Sequence, residues 1–255
     1  MYIGSRGSQL AKKQTDLFIR RLKKIGIYNF KVKFIKTQGD KVSKVKFKEL
    51  GGKGLFTKDI DEMILDSRLD LGVHSAKDIP GNLSEKLVIG AYLKREDVRD
   101  VLLTDNLKVK SLMDLPYQCT LGTSSLRRIC FIKLYRPDIK IMPIRGNIET
   151  RIKKIQEKKV EAIIIAKAGL NRLKIGNHNL NVLNIPVSKI MPAVGQGAIA
   201  IVHRKNDSKM KDICKKIDHE ETRLLMNAER SLLSSLDGDC TTPIAVVSRL
   251  KEDNL

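Results

Sequence analysis

Asp78 stands in the run His74-Ser75-Ala76-Lys77-Asp78-Ile79-Pro80, with a lysine directly before it, a hydroxyl three residues back and a proline two residues on. Leu69-Asp70-Leu71-Gly72-Val73 reads as a strand feeding this run. The carboxylate therefore sits at a strand end, where ligands bind in α/β proteins. An acid so placed either caps the backbone that follows it or faces a ligand with chemistry of its own. The chain carries 49 Lys and Arg against 29 Asp and Glu, a formal net charge of +20. A placed acid among so many bases asks for a reason.

Three basic motifs fall at expected strand-to-helix turns: Ser5-Arg6-Gly7-Ser8, Gly122-Thr123-Ser124-Ser125-Leu126-Arg127-Arg128 and Ile144-Arg145-Gly146-Asn147. A helix N-terminus offers free N–H groups and a partial positive charge, so it attracts anions. Hydroxyls add donors, and guanidinium forks match carboxylate geometry. Arg127 and Arg128 fall in a first helical turn, where a cation opposes the helix dipole; a bound anion resolves that conflict. The same motifs also fit ordinary N-caps flanked by surface arginines. Gly51-Gly52-Lys53-Gly54 adds a lysine on a loop whose spacing is not that of a P-loop, although charge alone leaves phosphate open.

Of the four cysteines, Cys119 lies in a strand-like run and Cys130 and Cys214 in helical runs, as small buried apolar residues do. Cys240 sits in a polar loop between Gly238 and Pro243, where a thiol is accessible, but Asp237 and Asp239 discourage its ionisation. That favours a covalent attachment point over a turnover nucleophile. There is no C-x-x-C pair and no histidine at zinc-ligand spacing, so no metal site is expected. His74, His178, His203 and His219 are scattered and read as structural.

The elements that must hold these groups alternate between strand and helix. A strand from Tyr2 leads into a helix ending near Lys24, with Ala11, Leu17, Ile19, Leu22 and Ile25 on its apolar side and Gly26 as its stop. Strands are expected at Phe30–Ile35, Leu87–Leu93, Cys119–Leu121, Lys140–Ile144, Ala162–Ala166 and Ile199–His203, and helices at Thr57–Leu65, Leu126–Tyr135 and from Asn147 to Lys158. Such alternation implies parallel sheets with right-handed crossovers. Changes of character near Arg95–Asp100 and Pro192–Ala198 read as crossings between two lobes with a cleft between them. The expected domains are 1–96 with 196–217, 97–195, and 218–255. The last comprises a helix over His219–Leu236 with Leu224, Leu225, Ala228, Leu232 and Leu236 on one stripe, the Cys240 loop and a strand at Ile244–Ser248.

At 255 residues, 42% hydrophobic and 31% charged, the composition is that of a soluble globular protein. The absence of Trp and 4% aromatic content weaken any reading built on stacking bases. The charge fits a polyanionic partner or a general lysine bias, and no DNA-binding motif supports a nucleic-acid binder. With no apolar run of membrane-spanning length and no leader pattern, a reducing cytoplasm is the expected setting.

Taken in order, Arg6-Gly7-Ser8, Gly51–Phe56, His74–Asp78, Arg95-Glu96-Asp97, Gly122–Arg128, Arg145-Gly146-Asn147, Ala193–Ala198 and Cys240 resemble the hydroxymethylbilane synthase (porphobilinogen deaminase) family over nearly the whole chain. The resemblance implies an α/β fold of two lobes like periplasmic binding proteins with a central cleft, plus a small third domain that is abbreviated here. It implies a cytoplasmic transferase, expected to be a monomer with no nucleic-acid or membrane partner, that joins four porphobilinogen molecules head to tail with release of ammonia. A dipyrromethane cofactor would be held by a thioether at Cys240, and Asp78 would be the catalytic carboxylate. Arg6, Ser8, Lys53, Ser75, Lys77, Thr123, Ser124, Ser125, Arg127, Arg128, Arg145, Arg151 and Gln196 would hold the acetate and propionate groups of the growing chain. Loss of ammonia gives an azafulvenium and the next addition a pyrrolium, so a single acid amid cations suits the step. Ala76 stands where the family usually has methionine, and Asp239 where it has glycine. The alternative is a two-lobed carboxylate-binding protein of this fold without catalysis.

Overall fold

The computed structural model describes residues 1–41, 54–175, 179–238 and 242–250; Lys53, His178 and Cys240 lie outside them. By its internal contacts the chain divides into two units. The first is Met1–Glu96 with Val194–Thr241 and Ser248–Leu255, and the second is Asp97–Ala193 with Thr242–Val247.

The first unit is built on strands β1 (Tyr2–Arg6), β2 (Lys31–Ile35), β3 (Leu71–Ser75), β4 (Leu87–Leu93) and β10 (Ile199–Arg204) in the order β2-β1-β3-β10-β4. Helices α1 (Gln9–Lys24), α2 (Gln38–Lys41), α3 (Lys58–Leu65), α7 (Ser208–Ile217) and α8 (Glu220–Ser235) complete it. The second unit holds β5 (Asp100–Thr104), β6 (Thr120–Gly122), β7 (Lys140–Met142), β8 (Ala162–Ala166) and β9 (Asn181–Ile185) in the order β7-β6-β8-β5-β9, with α4 (Leu126–Tyr135), α5 (Ile148–Gln156) and α6 (Lys167–Leu173).

The sheets share one plan, and it is mixed where all-parallel sheets were expected. In each, three strands pair in parallel, and the strand that first enters after a crossing, β10 or β5, runs antiparallel to both its neighbours. A strand delivered from the other unit need not make the right-handed crossover that keeps βαβ units parallel. The central strands are near-continuous apolar runs because both of their faces are covered. Ile199 and Ile201 face α1 and α7 with Phe18, Leu22 and Met210, while Ala198, Ala200 and Val202 face the other side with Ile60, Ile64 and Met226. Residue period two likewise splits Leu102 and Ile164 from Val101, Leu103, Ile163 and Ile165 in the second sheet.

Several local expectations are corrected. Helix α1 ends at Lys24 with Gly26 at φ +79, as its sequence implies. However, its buried stripe is Ala11, Gln14, Thr15, Phe18 and Leu22, and Leu17 is 36% exposed. Residues 11, 15, 18 and 22 follow the helical period, whereas Leu17 lies about 100° away from Phe18. Helix α8 buries Thr222, Met226, Glu229 and Leu233, and leaves Leu224, Leu232 and Leu236 exposed. The expected leucine stripe was therefore displaced by a polar anchor at Glu229. Ile244–Ser248 pairs with no strand among the described residues. Cys119 and Cys214 are buried, but Cys130 is exposed because α4 packs through Arg128 and Ile132. The helical run expected around Cys214 is α7, whereas helix α6 and strands β5 and β9 had no sequence expectation.

Candidate active site

In the first unit, β1 and β3 pair in parallel with Ser5 opposite Val73, so their C-terminal ends lie side by side. Arg6 ends β1. Ser75 ends β3, and one 3-10 turn, Ala76–Asp78, follows it. Arg6 Nη1 lies 3.7 Å from Asp78 Oδ2, with the two side chains 22% and 21% exposed. The Arg6 guanidinium also stacks over Phe56, 4.3 Å from the ring centre. Lys77 and Ser75 are half-buried beside them. Gln14 Nε2 donates to Ser75 Oγ at 2.8 Å, and Ser8 caps α1 by accepting from Ala11 N at 3.3 Å. The structure thus brings Arg6, Ser8, Ser75, Lys77 and Asp78 to one sheet end.

The segment 194–198 backs the Asp78 turn. Ala76 N donates to Ala198 O at 3.0 Å, and Gly195 sits so close that a Cβ there would lie 3.0 Å from the Ala76 carbonyl carbon. Gln196 is buried at this segment. Glu229, fully buried on α8, holds the segment and the crossing chain together. It accepts two bonds from the Arg95 guanidinium at 2.7 and 3.0 Å, one from Gly195 N at 2.9 Å and one from Ser248 N at 3.0 Å. Arg95 Nε in turn donates to Gln196 O at 2.9 Å.

Below this surface a second acid meets a histidine. His74 Nε2 lies 3.6 Å from Asp61 Oδ1, both atoms buried without a hydrogen-bond partner. Burial raises the Asp61 carboxyl to about 7, and burial followed by the charge of Arg6 lowers His74 to about 4. Between about pH 4 and 7 the pair is therefore a neutral acid facing a neutral imidazole.

The second unit gathers the other motifs, and here the reading of the arginines changes. Arg127 and Arg128 are 4% and 6% exposed. Arg127 Nη2 donates to Asp100 Oδ2 at 2.8 Å, and Arg128 Nε and Nη2 donate to the same carboxylate at 3.1 and 2.7 Å. Arg127 Nη1 donates to Met191 O and Arg128 Nη1 to Ile164 O. The anion that offsets their conflict with the helix dipole is thus internal. Burial alone raises the Asp100 carboxyl, but Arg128 and Arg127 outweigh it and hold it well below the usual carboxylate range. Ser125 caps α4, accepting from Arg128 N; Thr123 Oγ1 accepts from Ser125 N, and Ser124 Oγ donates to Ile144 O.

Arg145 and Arg151 flank the start of α5. Arg145 is exposed, and Arg151 is half-buried with Nε donating to Gly146 O at 2.9 Å. Burial and then the positive charges of Arg128 and Arg145 lower the Arg151 guanidinium to about 10. The part of that shift due to Arg128 and Arg145 marks a concentration of positive charge, which a carboxylate relieves. This fits a cofactor and substrate that carry carboxylates. Lys53 and Cys240, the expected attachment residue, lie outside the described residues.

Asp100, Glu229, Gln14 and Asp61 went unnoticed in the sequence. Asp100 alone carried a usable signal: an acid opening the apolar strand Asp100-Val101-Leu102-Leu103, in a chain with two arginines seeking an anion.

Residues 1–212 match the family model described as "Porphobilinogen deaminase, dipyromethane cofactor binding domain". The porphobilinogen deaminase of Rickettsia canadensis (strain McKiel) is 43% identical over 255 residues, covering 99% of this chain and 84% of that protein. That of Listeria monocytogenes serotype 4a (strain HCC23) is 43% identical over 245 residues, covering 95% and 79%. Among solved structures, an ancestral arginine-binding protein bound to arginine superposes with a TM-score of 0.45 at 14% identity, covering 92% of this chain and 96% of that one. On the full-length identity to these deaminases and the match over residues 1–212, the chain belongs to the porphobilinogen deaminase family.

Proposed function

We propose that this chain acts as a hydroxymethylbilane synthase in which Asp78 is the catalytic carboxylate. The observation that carries the reading is the Asp78 turn: an acid at a strand end, one-fifth exposed, with Arg6 3.7 Å away and Lys77 beside it, in a deaminase-family chain. The family's dipyrromethane, when bound through a thioether to Cys240, supplies the nucleophilic terminal ring and the anchor for the growing chain. The protein's part is electrostatic and positional. The Asp78 carboxylate steadies the positive charge that develops as ammonia leaves porphobilinogen, and Oδ1 or Oδ2 accepts the ring proton that must then be lost. Arg6 orients Asp78, and Lys77 and Ser75 offer donors to a substrate carboxylate at the same sheet end. Arg145 and Arg151, flanking the capped start of α5, provide a second carboxylate site, with Thr123 and Ser124 before α4 supplying hydroxyls. Ser8, Lys53 and Gln196 complete the set carried over from the family. Ser125 caps α4, and Arg127 and Arg128 support the second site by fixing that helix on Asp100.

Among the described residues no helix is long and apolar enough to cross a membrane. We read the chain as a cytoplasmic monomer acting on porphobilinogen. An intact-protein mass spectrum after incubation with porphobilinogen, paired with an ammonia assay, tests the function. The expected result is a dipyrromethane increment that Cys240→Ser abolishes, together with ammonia release. A chain that shows only its sequence mass and liberates no ammonia is not this enzyme.

A further inference from the structure

We propose that Arg230 is a positioning residue that latches the loop following Asp78 to the C-terminal end of α8, the helix that leads into Cys240. The proposal rests on the roles given above to Asp78 and Cys240. Three contacts make the latch. Arg230 Nη2 donates to Pro80 O at 2.8 Å and to Gly81 O at 3.0 Å. Gly81 N donates to Gly238 O at 3.3 Å. Ser234 Oγ donates to Asn82 Oδ1 at 2.5 Å. The approach is close enough that a Cβ at Gly81 would lie 2.9 Å from Gly238 O and 3.3 Å from Leu233 O. Pro80 is two residues past Asp78, and Gly238 is two residues short of Cys240. Each functional residue therefore hangs on a short chain from the same seam.

The chemistry of Arg230 argues for a positional role rather than simple packing. Its side chain is half-buried, and its Nη1 is buried without a hydrogen-bond partner. A buried donor left unsatisfied is costly, and a leucine or methionine would fill the space without it. What an apolar residue cannot do is bind two successive carbonyls from one nitrogen. Arg230 also lines an open cavity of about 510 Å³ with Gly81, Asn82, Tyr92 and Arg223. Successive condensations need the acid and the covalently anchored chain in fixed register, and a displacement of about 1 Å at a reacting centre can cost 10²-fold.

The test compares wild type with Arg230→Gln, Arg230→Lys and the double variant Asn82→Ala/Ser234→Ala. Hydrogen exchange of the 81–83 amides reads the latch without any turnover. Arg230→Gln should speed exchange there at least about tenfold and leave β3 and β10 protected, which also reports that the variant folds. The rate at which apoprotein gains the covalent increment at Cys240 should fall about tenfold, and kcat about tenfold, with KM within twofold. Arg230→Lys should recover part of each loss, and the double variant should shift all three readouts in the same direction. Unchanged exchange at 81–83 in Arg230→Gln overturns the latch, whatever the activity. Faster exchange with wild-type adduct rate and kcat overturns the positioning role. A wild-type chain that gains no increment while Arg230→Gln still loosens 81–83 locates the failure in the assigned function, since the latch itself has then been seen.

Discussion

Asp78 and Asp100 are both acids among arginines, and the difference between them sets what each can do. Asp100 is fully enclosed and takes three bonds from two guanidiniums, so neither oxygen is available for proton transfer. Asp78 is partly exposed, with a guanidinium at 3.7 Å. Asp78→Asn keeps the shape and removes the charge, so kcat should fall by about 10²–10³-fold while the covalent increment at Cys240 still forms; near-normal turnover would remove Asp78 from the role given to it. Asp100→Asn leaves two buried cations without a full charge to face, and should destabilise the chain by about 3–5 kcal/mol in urea unfolding. A change below about 1 kcal/mol would mean that water reaches the arginines. The sequence made Asp78 legible because a strand, a lysine and a proline frame it locally. It did not reveal what Arg127 and Arg128 bond inside the unit, because their partner Asp100 lies 27 and 28 residues away. A helix-start arginine looks the same in sequence whether its anion is a ligand or a distant carboxylate.

Most strands and helices could be read from period and caps, since those signals are local: Ser125 before α4, Asn147 before α5, and the apolar run of β8. Pairing direction and the buried face of α8 could not, because both depend on what arrives from elsewhere in the chain. Glu229 shows why: nothing near it in sequence says that Arg95 and Gly195 will converge on it. The β3–α3 contact carries a prediction of its own through His74 and Asp61. Asp61, raised to about 7, keeps its proton in the folded chain while the unfolded chain loses it near 3.8, so its contribution to stability falls as pH rises through that window. His74, lowered to about 4 from 6.5, stays neutral when folded while the unfolded chain takes up a proton, so its contribution falls as pH drops through that window. The slopes oppose, because one proton is held in either state: on Asp61 when folded and on His74 when unfolded. With Arg6 and Glu62 as the other charges acting on the pair, wild-type stability should be nearly flat between about pH 4 and 6.5 as far as this pair is concerned. His74→Gln leaves only the Asp61 slope, so the unfolding free energy should fall as pH rises by up to about 1.4 kcal/mol per unit, and the urea midpoint with it. A midpoint that rises or stays level over that range would show that Asp61 ionises normally.

At the scale of the whole molecule the net charge of +20 and the chemistry point the same way. Each porphobilinogen adds two carboxylates to the growing chain, so the negative charge to be held increases at every step while the reacting carbon turns positive. A uniformly basic interior would hold the carboxylates but repel the reaction centre. A neutral one would do neither. On the proposed function, exposed or half-buried cations, Arg6, Lys77, Arg145 and Arg151, meet the first demand and the acid at Asp78 meets the second. The sites differ in how salt should affect them. Carboxylate capture by partly exposed groups acts over a Debye length, which shrinks from about 10 Å at 0.1 M salt to about 3 Å at 1 M. Charge stabilisation at Asp78 acts at contact distance, where screening is slight. Raising potassium chloride from about 0.05 M to about 0.5 M should therefore raise KM for porphobilinogen several-fold and change kcat less than about twofold. Arg151→Gln should raise KM at low salt and flatten its salt dependence, because this cation, pushed down to about 10 by burial and then by Arg128 and Arg145, is the one whose loss most reduces the local field. Steady-state kinetics across that salt series decide it. A KM that does not move with salt would place substrate recognition in neutral hydrogen bonds, and a kcat that falls with KM would mean that the same charges act on the transition state.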